Sequence, residues 1–310
     1  YIVKRFDDYW GEKALLDKVQ ITMLADESSR INLYNAGEVD IMSLNDSNNI
    51  LKFGETEGCE VKKVAGAGCY YLGMNLEKEP FTNPKVREAL KYAINYDEML
   101  NDYWRGTLFP PTGYVQSYCI YASTAEESGF TYEYNPEKAK QLLAEAGYPN
   151  GYTIDVPLSS KYPFKTKIAT AIQDQARAAG FTLNLSEVDG AAYNDMDLGG
   201  QIPLGVSNWY VDYIDPDGMI YQRFAPIVTM THSSKYQNPE FDALLNEGRQ
   251  ITDESKRQEI YSKADQMITR QDYAAIPICH ETKYYLMNSA VKNFEVTDMF
   301  RFHFETAELS

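Results

Sequence analysis

Residues 152–185 read YTIDVPLSSKYPFKTKIATAIQDQARAAGFTLNL. Tyr152 to Val156 alternates β-prone residues and reads as a strand. Lys165 to Ala179 then spaces Ile168, Ala171, Ile172 and Ala176 along one side of a helix, and Gly180 supplies the stop. Phe181 to Leu185 resumes as a second strand. A strand–helix–strand unit of this length predicts two parallel neighbours joined by a right-handed crossover. The fold class is α/β.

The same grammar extends in both directions. Asn83-Pro84 and Asn135-Pro136 each place a capping side chain before a proline at the first helical position. The first helix carries Val86, Ala89, Leu90, Ala93 and Ile94 on one stripe. The second carries Ala139, Leu142, Leu143 and Ala146 and ends at Gly147. Nearer the start, Val19 to Leu24 reads as a strand, Asp26 as the N-cap of a helix ending at Gly37, and Val39 to Ile41 as another strand. Val61 to Val64 and Tyr70 to Met74 read as two strands separated by a turn at Ala65-Gly66-Ala67-Gly68. Downstream, Leu204 to Trp209 is a strand, helices follow near 240–250 and 254–270, and Ala275 to Ile278 leads into the final strands.

The chain has 310 residues, 44% hydrophobic and 24% charged, the balance of a globular protein. Lys and Arg number 29 against 45 Asp and Glu, a net charge of −16. That excess argues against nucleic acid as a partner and against adsorption to anionic lipid. No apolar run reaches the length of a membrane span. Tyr1 to Phe6 lacks the apolar core of an export signal, and the opening reads as a strand already under way, so the sequence reads as part of something longer. The 25 Tyr, 13 Phe and 3 Trp suit a wet, adaptable cleft, and suit strands equally well. Cys59, Cys69, Cys119 and Cys279 form no CxxC pair, which disfavours a zinc ribbon. For Cys59 and Cys69 both a disulfide across the Gly-rich turn and a pair of free thiols remain open.

No arrangement for catalysis emerges. His232, His280 and His303 show no metal-ligand spacing, Gly205 to Trp209 lacks the last glycine of a nucleophile elbow, and Gly66-Ala67-Gly68 precedes a strand rather than a helix. The reading assigns no catalytic residue, metal or cofactor. One dense segment remains, Trp209-Tyr210-Val211-Asp212-Tyr213-Ile214-Asp215-Pro216-Asp217, directly after a strand. Ligands of open α/β sheets bind beyond the carboxyl ends of strands. A carboxylate beside aromatic walls there can hold an ammonium group. Asp215 and Asp217 read as caps of a helix starting near Pro216, which leaves Asp212 as the ligand carboxylate.

At this point the residues resemble a family, the family 5 extracellular solute-binding proteins, which include dipeptide- and oligopeptide-binding proteins of ABC importers. Arg5-Phe6-Asp7-Asp8-Tyr9-Trp10-Gly11 before Leu16-Asp17-Lys18-Val19 is similar to the family's turn before a strand. Ala36-Gly37-Glu38-Val39-Asp40 is similar to its helix-then-strand signature. Tyr71 to Asn75 with Pro80-Phe81 and Val86 to Leu90, Tyr134 to Ala139 with Ala146-Gly147-Tyr148, and Trp209…Asp212…Asp215-Pro216 continue it in order.

The resemblance implies a two-lobed, periplasmic-binding-protein-like fold (class II, type C) without its N-terminal part. Residues 1–80 would be a partial first lobe, 81–278 the second lobe, and 279–310 the return to the first. It implies a non-enzymatic substrate-binding component of an ABC importer that captures a small peptide. The permease subunits would be its partners, and its place the periplasm or, as a lipoprotein, the outer face of the cell membrane. Asp212 would bind the peptide amine, and Trp209, with Tyr210 and Tyr213, would wall the cleft. Lys161 stands nearest to the position where dipeptide-binding members carry a carboxylate-binding Arg. A lysine is a poorer bidentate partner, so a longer peptide held by its backbone fits better. A metal chelate or oligosaccharide as solute, or a sensor or adhesin role, are the alternatives.

Overall fold

The computed structural model describes residues 1–116, 119–122, 124–211, 213–226, 234–297, 299 and 301–310. They form two compact units, Tyr1–Gly66 with Glu281–Ser310, and Ala67–His280.

In the first unit, β1 (Ile2–Lys4) and β2 (Lys18–Gln20) pair antiparallel. They precede α1 (Glu27–Asn35), β3 (Ile41–Leu44), α2 (Ser47–Gly54) and the start of β4 (Cys59–Met74). Asp26 caps α1, accepting from the Ser29 amide at 2.6 Å. Asp46 does the same for α2, from Asn48 at 2.9 Å. The strand expected over 19–24 covers only Lys18–Gln20, and the one expected from Val39 begins at Ile41, where pairing with 284–287 begins.

The expected turn at 65–68 is a correction: β4 runs unbroken through it for 16 residues. Neither Gly66 nor Gly68 takes a positive φ. Glycine permits a turn without enforcing one, and here every residue from Gly66 to Cys69 is buried in extended chain, with Gly68 and Cys69 paired opposite Tyr210 and Trp209. Cys59 and Cys69 therefore lie along one strand, with no turn to join their thiols. None of the four cysteines is in a disulfide; Cys59 is half-buried and the others are buried.

In the second unit, α3 (Pro84–Tyr92), a π-helical segment Glu98–Tyr103, α4 (Ala125–Ser128) and α5 (Pro136–Glu145) precede the crossover unit. Asn83 and Asn135 cap α3 and α5, each accepting at 3.0 Å, from the Lys85 and Lys138 amides. The expected stripe of α3, Val86 to Ile94, is fully buried.

The crossover consists of β5 (Tyr152–Ser159), α6 (Pro163–Ala178) and β6 (Phe181–Val188). The strands pair parallel, Tyr152 opposite Phe181 through Ser159 opposite Val188, as the opening stretch of sequence requires. After α7 (Gly190–Leu198), β7 (Leu204–Tyr210) pairs antiparallel with β4, Cys69 opposite Trp209 and Tyr71 opposite Ser207. Strand alternation divides this pair between two cores. Leu72, Met74, Leu204 and Val206 join the cluster over β5, β6 and α6; Cys69 and Tyr71 join the cluster under α8 (Pro216–Phe224), α9 (Pro239–Gly248) and α10 (Glu254–Gln266).

The chain returns through β8 (Ala275–Asn288) to the first unit. There β9 (Val291–Lys292), β10 (Glu295–Val296), β11 (Phe302–His303) and β12 (Glu308–Leu309) form short antiparallel pairs. No helix among the described residues is long and apolar enough to cross a membrane.

Candidate solute-binding site

The segment singled out from the sequence lies where β7 passes into α8. Trp209 is held from two sides: its Nε1 donates to the Gly218 carbonyl at 2.9 Å, and the Arg223 guanidinium lies 5.2 Å from its ring centroid. Arg223 is itself buried and donates from Nε to the Tyr71 hydroxyl at 3.0 Å. The indole is thus a fixed, half-buried plate rather than a mobile one. Tyr210 (59% exposed) at the end of β7 and Tyr213 (47% exposed) in the turn after it are both exposed. Asp212 lies outside the described residues.

The other two carboxylates are committed to structure, Asp215 as the expected cap and Asp217 through side-chain partners. Asp215 is the N-cap of α8, accepting from the Asp217 amide at 2.8 Å. Its two oxygens also take both arms of Arg257 on α10, at 2.8 and 3.0 Å. Asp217 is buried and accepts from Tyr261 at 2.8 Å and Tyr213 at 3.1 Å, with Arg249 at 3.7 Å. Burial and the Asp217 carboxylate push the Tyr213 hydroxyl up to about 12, so it donates and stays neutral.

Lys161 is exposed in the β5–α6 loop, its aliphatic stem lying against Gly190, where a Cβ would overlap it. Its charge falls beside Asp189, the N-cap of α7. One turn further on, Lys165 is half-buried, and its ammonium lies 4.6 Å from the Tyr162 ring centroid. Sequence reading gave no site role to Arg223 or Tyr71, because their contact forms only when α8 packs against β4.

His280 is buried with Nε2 3.2 Å from the Gly113 carbonyl, and His303 contacts Glu305 at 2.6 Å on the surface; His232 lies outside the described residues. Among the described residues no three His, Cys, Asp or Glu side chains gather as metal ligands.

Residues 1–227 match the family model described as bacterial extracellular solute-binding proteins, family 5 Middle. The chain belongs to that family, whose members bind solutes rather than transform them. It is 28% identical over 299 residues to heme-binding protein A of Haemophilus influenzae, covering 93% of this chain and 53% of that protein. It is also 28% identical over 318 residues to the dipeptide-binding protein of Escherichia coli (strain K12), covering 99% and 58%. The chain thus spans little more than half the length of these relatives.

Among solved structures, the ABC transporter-associated periplasmic binding protein DppA from Helicobacter pylori, in complex with the peptide STSA, superposes with a TM-score of 0.83 at 26% identity over 99% of this chain and 60% of that one. AppA from Clostridium difficile shares the fold at a TM-score of 0.89 and 19% identity, over 100% of this chain and 64% of that one. The α/β fold is that of these periplasmic binding proteins.

Proposed function

We propose that the chain forms part of the substrate-binding component of an ABC importer and that its solute is a peptide. The observation that carries this reading is the turn after β7, where a braced Trp209 and the projecting Tyr210 and Tyr213 offer aromatic faces while Asp215 and Asp217 are already engaged. Aromatic plates with a polar tip grip varied side chains without demanding one sequence. The ionic contact to the peptide amine is assigned to Asp212, on its sequence position alone. Lys161 is retained as a contact of the peptide's far end, as an exposed residue whose stem lies against Gly190.

Membrane permease subunits would receive the solute. Residence in the periplasm or on the outer face of the cell membrane follows from that role. Similarity to the E. coli dipeptide-binding protein supports the peptide reading; similarity to heme-binding protein A favours heme as the second.

Titration calorimetry separates them. With the full-length protein, tri-alanine is expected to bind, and either N-acetylation of the peptide or Asp212→Asn should weaken it about ten- to a hundred-fold. Both perturbations together should add little, because they remove the same contact. An unchanged affinity in the folded variant would place the amine elsewhere. Binding of hemin with no binding of any peptide would select the second reading.

A further inference from the structure

We infer that Arg223 is a positioning residue for solute capture: from beneath the candidate site it fixes the plane of Trp209, so that a flat or apolar group of the solute meets a preformed wall. The inference rests on the solute-binding reading above and names what orients its indole.

Two contacts hold that indole, and they fix different things. The bond from Nε1 to the Gly218 carbonyl, 2.9 Å, pins one edge, about which the ring could still tilt. The Arg223 guanidinium over the ring face, 5.2 Å from its centroid, removes that tilt. Arg223 is held in its turn, its Nε donating to the Tyr71 hydroxyl at 3.0 Å. The Tyr71 ring meets Tyr114 edge-on at 5.0 Å, and Tyr114 meets Phe224 edge-on at 5.1 Å. The Tyr114 amide donates to Asp265 of α10 at 3.0 Å. Arg223, Tyr71, Tyr114 and Phe224 are all buried, whereas Trp209 is half-buried. A continuous series of contacts thus runs from α10 to a ring that reaches solvent.

Burying a guanidinium costs desolvation, and an apolar side chain of similar volume would fill the same space without that cost. What the guanidinium adds is direction: it is planar, stacks on aromatic faces and carries its hydrogen bonds in a fixed fork. Gly218 extends the same order to the neighbouring wall. Its carbonyl takes the indole N–H, and a Cβ on it would lie 3.4 Å from the Tyr213 ring and 3.1 Å from Val211. A wall held in this way loses little further freedom when a solute arrives, so stacking against it is not offset by ordering.

The full-length protein is compared as wild type, Arg223→Met, Arg223→Lys, Tyr71→Phe, Trp209→Leu and the Arg223→Met/Trp209→Leu double variant. Without solute, time-resolved anisotropy reads the motion of Trp209, its emission being the difference from the protein that lacks it. Nanosecond motion of the ring should increase in Arg223→Met and less in Arg223→Lys, which keeps a cation without the planar fork. Calorimetry then compares tri-alanine with its three single-phenylalanine forms, and with hemin as a flat solute that is no peptide. In wild type one phenylalanine form should bind about ten-fold tighter than tri-alanine. Arg223→Met should lose most of that gain, and in the Trp209→Leu background it should change nothing further, because both act through one ring. Should Arg223→Met fail to fold, Tyr71→Phe, which removes the acceptor of Nε and keeps the ring, reads the same motion and the same gain. The same pattern with hemin alone would uphold the positioning role and overturn the peptide reading. The role itself is overturned if the ring of the folded variant moves no more than in wild type, or if peptides bind without a phenylalanine gain. A gain that survives in the variant, losses that add in full, or binding of neither peptide nor hemin would overturn it equally.

Discussion

Asp265 and His280 grip one loop of the second unit from two sides. The Asp265 carboxylate accepts from the amides of Tyr114 at 3.0 Å and Val115 at 2.7 Å, while His280 Nε2 lies 3.2 Å from the Gly113 carbonyl. Burial drives their titrations in opposite directions, Asp265 up to about 6 and His280 down to about 4. Against unfolded values of about 3.9 and 6.5, the signs are opposite too. Native Asp265 takes up a proton that the unfolded chain does not between about pH 6 and 4, so its contribution to stability rises as pH falls. Native His280 refuses a proton that the unfolded chain accepts between about pH 6.5 and 4, so its contribution is full above that window and lost within it. Each amounts to about 2 kcal/mol between pH 7 and 4.5, and in the wild type they nearly cancel. Urea unfolding at the two pH values checks this. Relative to wild type, His280→Gln should gain about 2 kcal/mol on acidification and Asp265→Asn should lose about as much. Parallel pH dependence in all three proteins would contradict the assignment.

At the level of elements, the helices were legible wherever a capping side chain preceded an apolar stripe. Asn83-Pro84 and Asn135-Pro136 show this, and the crossover unit was legible because Gly180 ends its helix at φ +93°. The helices α2 and α7 escaped sequence reading although Asp46 and Asp189 cap them, because α2 is short and α7 buries little beyond Gly190 and Tyr193. Gly66 and Gly68 misled in the opposite sense: punctuation in the sequence became uninterrupted strand. A glycine is required where the backbone itself is crowded. At Gly151 φ is +81°, and a Cβ would overlap the carbonyl oxygen of Gly180, to which Tyr152 donates at 3.0 Å. Gly147 also has a positive φ, +97°, but open space around it. Gly147→Ala should therefore cost about 1–2 kcal/mol of backbone strain, and Gly151→Ala measurably more, because the parallel strand pair must also shift. Denaturant midpoints of the two variants decide, and equal losses would mean that the overlap is relieved without cost.

For the molecule as a whole, class and family were readable because their signals are local and ordered along the chain, from Arg5 to Pro216. The site was readable only in part. Trp209, Tyr210 and Tyr213 announce themselves by density, whereas the Arg223–Tyr71 contact that backs Trp209 exists only after α8 has packed against β4. The central claim is that this fold holds a peptide. Native mass spectrometry of the full-length protein, purified without refolding, tests it most directly. The expected result is a bound mass that denaturation releases as peptides with a free amino terminus and a free carboxylate. Release of heme, a metal chelate or a sugar in their place would contradict the account.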